Sequence, residues 1–175
     1  MVQQIQTLTE NDFPEIQDFY WELIDKMQDS DYLPGWEKGV YPSDAFLMES
    51  LTAGELFALR LDEKIVAAMI MNHDCNEGYK GTEWNANAAA DEVMVIHALG
   101  VSPEFHGYGF AKKMVEEAIH ISRQKQQKAI RLDVLNGNLP ALKLYEKIGF
   151  QYRRTVQMFY EDTGWTDYLL YELVL

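Results

Sequence analysis

Two glycines stand in a short segment between an apolar run and an amphipathic one. The segment reads Val101-Ser-Pro-Glu-Phe-His-Gly-Tyr-Gly-Phe-Ala111, and it places Gly107 and Gly109 at the start of a predicted helix. The first turn of a helix leaves backbone N–H groups without partners and carries partial positive charge. Because glycine has no side chain, a diphosphate can approach those amides closely. The alternative is an ordinary turn that contains two glycines.

Two common phosphate-binding patterns do not describe this segment. The dinucleotide pattern G-x-G-x-x-G requires a third glycine or alanine at position 112, where the chain has Lys112. The P-loop pattern G-x-x-x-x-G-K-[ST] is absent from the sequence.

A second segment, from Asn136 to Phe150, predicts a short helix with a polar face. Asn138 is a suitable N-cap, and Pro140 falls in the first turn, where proline is tolerated. At ~3.6 residues per turn, Asn138, Ala141 and Tyr145 share one face. The small Ala141 leaves space beside that face, and Tyr145 places a hydroxyl at its far end. The alternative is a capped surface helix in which Tyr145 only packs.

Together, the two segments resemble the GCN5-related N-acetyltransferase (GNAT) superfamily. The phosphate loop of that family is [QR]-x-x-G-x-[GA], and residues 106–111 match it except at the first position, His106. The later family signature is N-x-x-A-x-x-x-Y-x-x-x-G-F. It is matched throughout, by Asn138, Ala141, Tyr145, Gly149 and Phe150.

The resemblance implies acetyl-CoA as the cosubstrate. Backbone amides of about 107–112 would hold the diphosphate, and the backbone of residues 99–101, at a bulge in the fourth strand, would pair with the pantetheine arm. Asn138 would contact that arm or a water near it. Since the loop acts through its amides, we expect binding to survive the change to His106. The residues assigned to the cosubstrate are Leu99, Gly100, Val101, His106, Gly107, Tyr108, Gly109, Phe110, Ala111, Lys112, Asn138 and Ala141.

Acyl transfer from a thioester to an amine needs a neutral amine, a donor for the tetrahedral oxyanion and a proton for the leaving thiolate. The resemblance implies direct attack, an oxyanion donor from a backbone N–H of the fourth strand, and Tyr145 as the acid.

The general base is open between two catalytic candidates. His97 has an ordinary pKa of about 6.5, which suits the task, and Glu92 starts the same strand. The alternatives are a core histidine and a solvated strand end.

The resemblance also implies where the acceptor binds, because the first two helices, the loop between them and the last strands line that groove. Aromatic and acidic side chains there would suit an amine through cation–π and charge contacts, although they could equally belong to the core or rim. They are Trp21, Tyr32, Trp36, Tyr41, Trp84, Tyr160 and Trp165, with Asp29, Asp31, Glu37 and Glu161. No metal site is expected, since His73, Asp74 and Cys75 lack a second ligand pair at suitable spacing.

The elements that must position these residues follow from periodicity and turn signals. Helices are predicted over 10–27, 44–52, 109–125 and 138–148. Strands are predicted over 2–8, 55–61, 64–72, 91–101, 128–135, 150–160 and 166–174, with a long loop over 73–90. This order predicts an α/β (α+β) fold of one domain, residues 1–175. A mixed, mostly antiparallel sheet of about seven strands carries helices on both faces, and the resemblance implies that its fourth and fifth strands splay apart.

Composition limits the partners. The formal net charge of −13 argues against nucleic acid and anionic membranes as partners, because phosphate binding needs clustered Lys and Arg. That charge serves solubility or attracts a cationic substrate. The single cysteine excludes an internal disulfide and fits the cytoplasm. No signal peptide and no apolar run of ~20 residues is recognised in the sequence, and a monomer or a homodimer is expected.

The sequence therefore predicts an acetyl-CoA-dependent N-acetyltransferase that acts on an amine of a small molecule or a peptide. A protein-modifying enzyme that acts on a lysine or an N-terminus is a narrower version of this hypothesis. A non-catalytic acyl-CoA-binding sensor or partner-binding module is the alternative, motivated by His106 and by the unassigned base.

Overall fold

One seven-stranded sheet holds the molecule together. The structure, a computed structural model, describes residues 3–28 and 34–175. The strands are β1 (Gln3–Thr7), β2 (Leu56–Leu61), β3 (Lys64–Asn72), β4 (Val93–Val101), β5 (Ala129–Leu135), β6 (Gln151–Tyr160) and β7 (Gly164–Val174). The helices are α1 (Phe13–Met27), α2 (Asp44–Ala53), α3 (Phe110–Gln124) and α4 (Leu139–Ile148). The strand order is β1-β2-β3-β4-β5-β7-β6, and β4 and β5 form its parallel pair. The predicted mixed, mostly antiparallel sheet is confirmed.

Both faces of the central strands are buried. On one face, α3 and α4 pack against side chains that include Leu59, Met69 and Met94. On the other, α1 and α2 pack against Leu56, Ala58 and Ile70. Because successive strand residues point to opposite faces, a strand covered on both sides must be apolar throughout. All residues of β3 from Ile65 to Met71 are accordingly buried, and the prediction of helices on both faces is confirmed.

Three boundaries differ from the predicted ones by more than one residue. The first helix begins at Phe13 rather than at residue 10, because residues 10–12 form a 3₁₀ turn in which Asp12 accepts bonds from Thr9. The fourth strand begins at Val93 after another 3₁₀ turn. The last strand begins two residues before the predicted position, since Gly164 pairs with Tyr160 at the end of the β6–β7 hairpin. No helix within the described ranges is long and apolar enough to cross a membrane.

The loop over 73–90 is fastened to the sheet by a buried ion pair. Glu172 of β7 and Arg131 of β5 lie 3.1 Å apart, and both are almost fully buried. The Glu172 carboxylate also accepts the backbone N–H of Asn85 at 2.7 Å. The Arg131 guanidinium lies over the Trp84 ring, 4.2 Å from its centroid. Every charge here has a partner, so the loop is held in one position against β5 and β7.

A bulge interrupts β4 near its end. His97 pairs with Ile70 of β3 and Gly100 pairs with Ala68, so two residues of β4, Ala98 and Leu99, stand opposite one of β3. Ala98 adopts a left-handed φ of 50°, which costs a residue with a side chain on the order of 1 kcal/mol. The Tyr20 hydroxyl of α1 donates to the Ala98 carbonyl at 2.8 Å and secures this conformation.

The sheet also opens between β4 and β5. The two strands pair at Val93–Ala129, Met94–Ile130 and Val95–Arg131, and the pairing ends there. From residue 96 onward, the edge of β4 that faces β5 has no strand partner among the described residues. The implied splay of these two strands is therefore present, and it leaves a gap at the end of β4.

We predict that Tyr20→Phe lowers the free energy of unfolding by about 1–2 kcal/mol, because the buried Ala98 carbonyl loses its donor. Urea denaturation measures the change. The control is Tyr152→Phe, which removes an exposed hydroxyl bonded only to Thr155. We expect this control to stay within about 0.5 kcal/mol of the parent. Equal losses in the two variants would contradict the role assigned to Tyr20.

Candidate active site

Two cavities meet in the gap between β4 and β5. The large cavity has a volume of about 560 Å³ and runs from the gap to the loop before α3. The small cavity has a volume of about 100 Å³ and lies on the other side of the gap, toward β7. Both cavities are lined by Pro34, Trp36, Leu99, Asn138, Ala141 and Tyr145. These shared residues mark the point where a molecule in one cavity meets a molecule in the other.

The loop before α3 turns bare backbone toward the large cavity. Gly107 and Gly109 have φ angles of +86° and +80°, and a Cβ placed on either would meet no atom within 4 Å. The Tyr108 amide donates to the Phe105 carbonyl at 3.2 Å. The amides of Gly107 and of residues 109–112 find no acceptor in the part of the chain that the structure describes. These unpaired donors at the positive end of α3 form a cradle for an anion.

The side chain of His106 braces this loop. Its Nε2 lies 3.2 Å from the carbonyl oxygen of Val101. Because a carbonyl oxygen only accepts, Nε2 is the donor in this bond. The bond ties the loop to Val101, the last residue of β4.

The end of β4 presents main-chain groups to the large cavity. The Ser102 amide donates to Val66 of β3 at 2.9 Å. Since backbone groups alternate in direction along an antiparallel pair, those of Leu99 and Val101 point away from β3 and toward the gap. Gly100 between them is required by packing, because a Cβ there would lie 2.5 Å from the Leu23 side chain.

The α4 helix places Tyr145 at the junction of the two cavities. Asn138 caps the helix, its side-chain oxygen accepting the Ala141 amide at 3.5 Å. Tyr145 is buried, and its hydroxyl has no hydrogen-bond partner among residues 3–28 and 34–175. Burial raises the pKa of Tyr145, and the negative charge of Asp133 raises it further. The hydroxyl therefore stays protonated and is free to donate.

His97 lines the small cavity. Its Nε2 lies 2.7 Å from Oδ1 of the buried Asn72. The same Oδ1 accepts the Asp74 amide at 3.0 Å, which identifies that atom as the oxygen. Nε2 therefore carries the proton. Burial lowers the pKa of His97 to about 4, with Asp74 opposing the shift, so the ring is neutral at pH 7.

Three polar residues of this site, Asp133, Asp162 and Tyr168, are not among those predicted from the sequence, and Asp133 is the most informative of them. It lies on β5, lines the small cavity, and accepts hydrogen bonds from Tyr79 at 2.8 Å and Tyr160 at 3.0 Å. Burial raises the pKa of Asp133, and the two tyrosine bonds lower it in part. One signal was available in the sequence, since Asp133 is an acidic residue inside the otherwise apolar stretch Leu132-Asp-Val-Leu135.

Glu92, the second candidate base, lies away from both cavities. Its carboxylate pairs with Lys128 at 2.8 Å and accepts the Ala89 amide at 2.8 Å. The hydrogen bond from Lys128 is the main cause that lowers its pKa. Five residues of extended strand separate it from His97, or about 16 Å. Glu92 thus fastens the start of β4 to the start of β5, and the structure does not bring it to the site.

The other predicted residues divide into four groups. All residues assigned to the cosubstrate line the large cavity except Tyr108, which is exposed. Of the predicted acceptor groove, Trp36, Tyr41 and Tyr160 line the small cavity. Neither cavity is lined by Trp21, Trp84, Trp165, Glu37 or Glu161. Asp29, Asp31 and Tyr32 lie outside the described residues. Within the described ranges, no group of three or more His, Cys, Asp and Glu residues could hold a metal ion.

Comparison with known families agrees with this geometry. The model of the Acetyltransferase (GNAT) family matches residues 17–150, which include α3, α4 and the gap between β4 and β5. The chain therefore belongs to the GNAT family of acetyltransferases.

Individual relatives are distant. An N-acetyltransferase of Methanocaldococcus jannaschii is 29% identical over 84 residues, which are 48% of this chain and 34% of the relative. Matches to two further curated relatives cover 24% and 48% of their lengths, so the chain spans half or less of each.

Solved structures share the fold across the whole chain. A GNAT-family acetyltransferase from Streptococcus agalactiae superposes with a TM-score of 0.76 at 19% identity, covering 99% of this chain and 95% of that one. An acetyltransferase from Salmonella typhimurium, solved with its cofactor acetyl-CoA, superposes with a TM-score of 0.72 at 12% identity. The match covers 100% of this chain and 95% of that one. At these identities the likeness is one of fold.

We predict that His97 makes the protein less stable as the pH falls from about 6.5 to 4. Its pKa in the folded state, about 4, lies below the ordinary 6.5, so in this window the unfolded chain binds a proton that the folded chain does not. The loss is on the order of 2–3 kcal/mol, and stability recovers as the pH rises. Urea denaturation at several pH values measures it. In His97→Gln, which keeps a donor for Asn72, we expect a smaller slope, and an identical slope would contradict the assignment.

Proposed function

We propose that the chain is an acetyl-CoA-dependent N-acetyltransferase that transfers the acetyl group to an amine of a small molecule or a peptide by direct attack. One observation carries the proposal. The anion cradle and the carboxylate-lined small cavity open into one another at Tyr145, a buried and protonated hydroxyl. Membership of the GNAT family and the acetyl-CoA bound to the Salmonella typhimurium structure support it.

The residues of the large cavity suit acetyl-CoA. The unpaired amides of Gly107 and of residues 109–112 would hold the diphosphate, and the open space before the two glycines gives it room. The outward-facing main chain of Leu99 and Val101 would pair with the pantetheine arm as an added strand does. This arrangement would deliver the thioester to the gap beside Tyr145.

Two groups of the chain would then serve the chemistry. The Leu99 N–H points into the gap and would donate to the oxyanion of the tetrahedral intermediate. The Tyr145 hydroxyl would give its proton to the departing sulfur. The lone Cys75 lies in the 73–90 loop and lines neither cavity, which supports direct transfer without an acyl-enzyme. A single, unpaired cysteine also supports action in the cytoplasm.

We predict that Gly109→Ala weakens acetyl-CoA binding at least about tenfold, because the Cβ strains a left-handed residue within the anion cradle. Isothermal titration calorimetry with acetyl-CoA measures the affinity. Gly54→Ala is the matched control. Gly54 also has a positive φ, +69°, with no atom within 4 Å of a Cβ, but it ends α2 away from both cavities. We expect Gly54→Ala to lose a similar amount of stability but none of the affinity for acetyl-CoA. Equal affinities of the two variants for acetyl-CoA would argue against the cradle.

We predict that Tyr145→Phe lowers kcat at least about 100-fold, as the loss of a general acid does, while the Kd for acetyl-CoA stays the same. Release of free CoA thiol measures turnover. Tyr171→Phe is the control, since it removes a buried hydroxyl that donates to Glu146 at 2.8 Å outside both cavities. Full activity in Tyr145→Phe would remove Tyr145 from the acid role. Acetyl-CoA binding by the parent without turnover on any amine would favour the non-catalytic alternative instead.

A further inference from the structure

Asp133 lies across the gap from His97. The two residues would be paired if β4 and β5 continued their pairing to this point. The last pair between β4 and β5 is Val95–Arg131, and two more residues in the same register would bring His97 opposite Asp133. The splay separates them, and both side chains line the small cavity instead. The pairing of β5 with β7 continues past this point, with Asp133 opposite Leu170, so its backbone is fixed.

The Asp133 carboxylate is held at one oxygen only. The hydroxyls of Tyr79 and Tyr160 both donate to Oδ2, at 2.8 and 3.0 Å. Oδ1 accepts no hydrogen bond from any residue that the structure describes. Two donors on one oxygen fix the plane of the carboxylate and leave the other oxygen for a ligand in the cavity.

The negative charge of Asp133 acts on the tyrosines around it. It is a cause of the raised pKa of Tyr41, Tyr79, Tyr145, Tyr160 and Tyr168. Tyr145 is the residue placed beside the thioester. Asp133 and Tyr145 line the same small cavity, so a nitrogen bound at Asp133 would lie close to the group that protonates the sulfur.

The small cavity has negative groups without a matching positive one. Asp162 also lines it, and its Oδ1 is buried without a hydrogen-bond partner in the described part of the chain. Among the described lining residues none is Lys or Arg, and His97 is neutral at pH 7. The walls are the aromatic rings of Trp36, Tyr41, Tyr160 and Tyr168. Aromatic faces with carboxylates attract a cation, and an anionic group beside that cation would meet like charge.

We propose that Asp133 is a catalytic residue that binds the acceptor's ammonium group and takes its proton, and that the acceptor is an alkylamine with no carboxylate on the carbon that carries the nitrogen. The proposal rests on the proposed acetyltransferase function and assigns the base that the sequence left open between His97 and Glu92.

The proton balance needs no further reagent. The ammonium releases one proton to solvent through Oδ1 of Asp133, and the neutral nitrogen attacks the thioester carbonyl carbon. As the C–N bond forms, Asp133 takes the second proton from nitrogen. The C–S bond then breaks and Tyr145 gives its proton to sulfur. After the products leave, Asp133 releases its proton to solvent and the Tyr145 oxygen takes one from solvent. The products are the amide, the free thiol and one proton.

The first experiment measures Asp133→Asn. The amide oxygen can still accept from Tyr79 and Tyr160, while the amide nitrogen replaces Oδ1 and presents a donor to the cavity. With cadaverine, agmatine or tyramine as acceptor, whichever the parent turns over, we expect kcat/KM to fall at least about 100-fold. The Kd for acetyl-CoA should not change. Titration of the same amine alone should show at least about tenfold weaker binding to the variant.

The control is Asp167→Asn. Asp167 precedes Tyr168 on β7, so its side chain points to the opposite face of the sheet from the small cavity. We expect parental kcat/KM and parental amine binding in this variant. Parental activity in Asp133→Asn would overturn the role of Asp133 and leave the acetyltransferase function standing. If the parent bound acetyl-CoA but acetylated neither these amines nor peptides with a free N-terminus or lysine, the proposed function and the role of Asp133 would both be overturned.

The second experiment tests the class of acceptor with pairs that differ by one carboxylate. The pairs are agmatine with arginine and tyramine with tyrosine, because in each of these amino acids the only nucleophilic amine is on the carbon that carries the carboxylate. We expect the parent to favour the amine of a pair at least about 100-fold in kcat/KM, because the carboxylate meets Asp133 and Asp162. Equal rates within the pairs would overturn the assignment of the acceptor class.

Discussion

The end of β4 cannot pair on both of its edges, and the rest of the site depends on that fact. The bulge at Ala98 and Leu99 keeps β4 bonded to β3, while its other edge loses β5 after Val95. Backbone groups that a sheet would satisfy are thereby left for a ligand. The bulge is held by one buried hydrogen bond, from Tyr20 to the Ala98 carbonyl. The two cavities and the junction at Tyr145 exist because the strands separate there.

A fully buried carboxylate and a half-buried one, on neighbouring strands, show two ways of meeting the cost of removing charge from water. Glu172 is paired with Arg131 and accepts a backbone amide, so its charge is compensated and it serves to hold the 73–90 loop. Asp133, two residues along β5 from Arg131, has only tyrosine hydroxyls, and its pKa stays above the ordinary value. A fully compensated carboxylate is typical of a structural role. One left partly uncompensated at a cavity is typical of a functional site.

Much of the fold could be predicted because its signals are local. The apolar run from Ile65 to Met71 indicates an interior strand, and the cap at Asn138 marks a helix start that the structure shares. The boundaries that differ by more than one residue lie where a short 3₁₀ turn or a hairpin pairing takes over, as at Phe13 and Gly164. These boundaries depend on contacts with neighbouring elements rather than on the periodicity of the sequence.

The glycine loop and the capped helix of the proposed cosubstrate side could also be located from the sequence, because each is one continuous segment. The acceptor side was not, since Tyr79, Asp133 and Tyr160 come from a loop and two strands that only the folded sheet brings together. His97 shows a second limit of sequence-based prediction, because the folded environment changes its pKa. Its ordinary pKa suits a general base, but burial and the bond to Asn72 make it a neutral donor.

The acid and the base of the proposed reaction thus come from α4 and β5, on one side of the gap, and the oxyanion donor comes from β4 on the other. A thioester lying in the gap would have its sulfur and the incoming nitrogen near one wall and its carbonyl oxygen at the opposite one. The width of the splay then sets whether all three groups reach the reacting atoms together. Because β4 is fixed by β3 and β5 by β7, this width is a property of the sheet and does not depend on the loops around it.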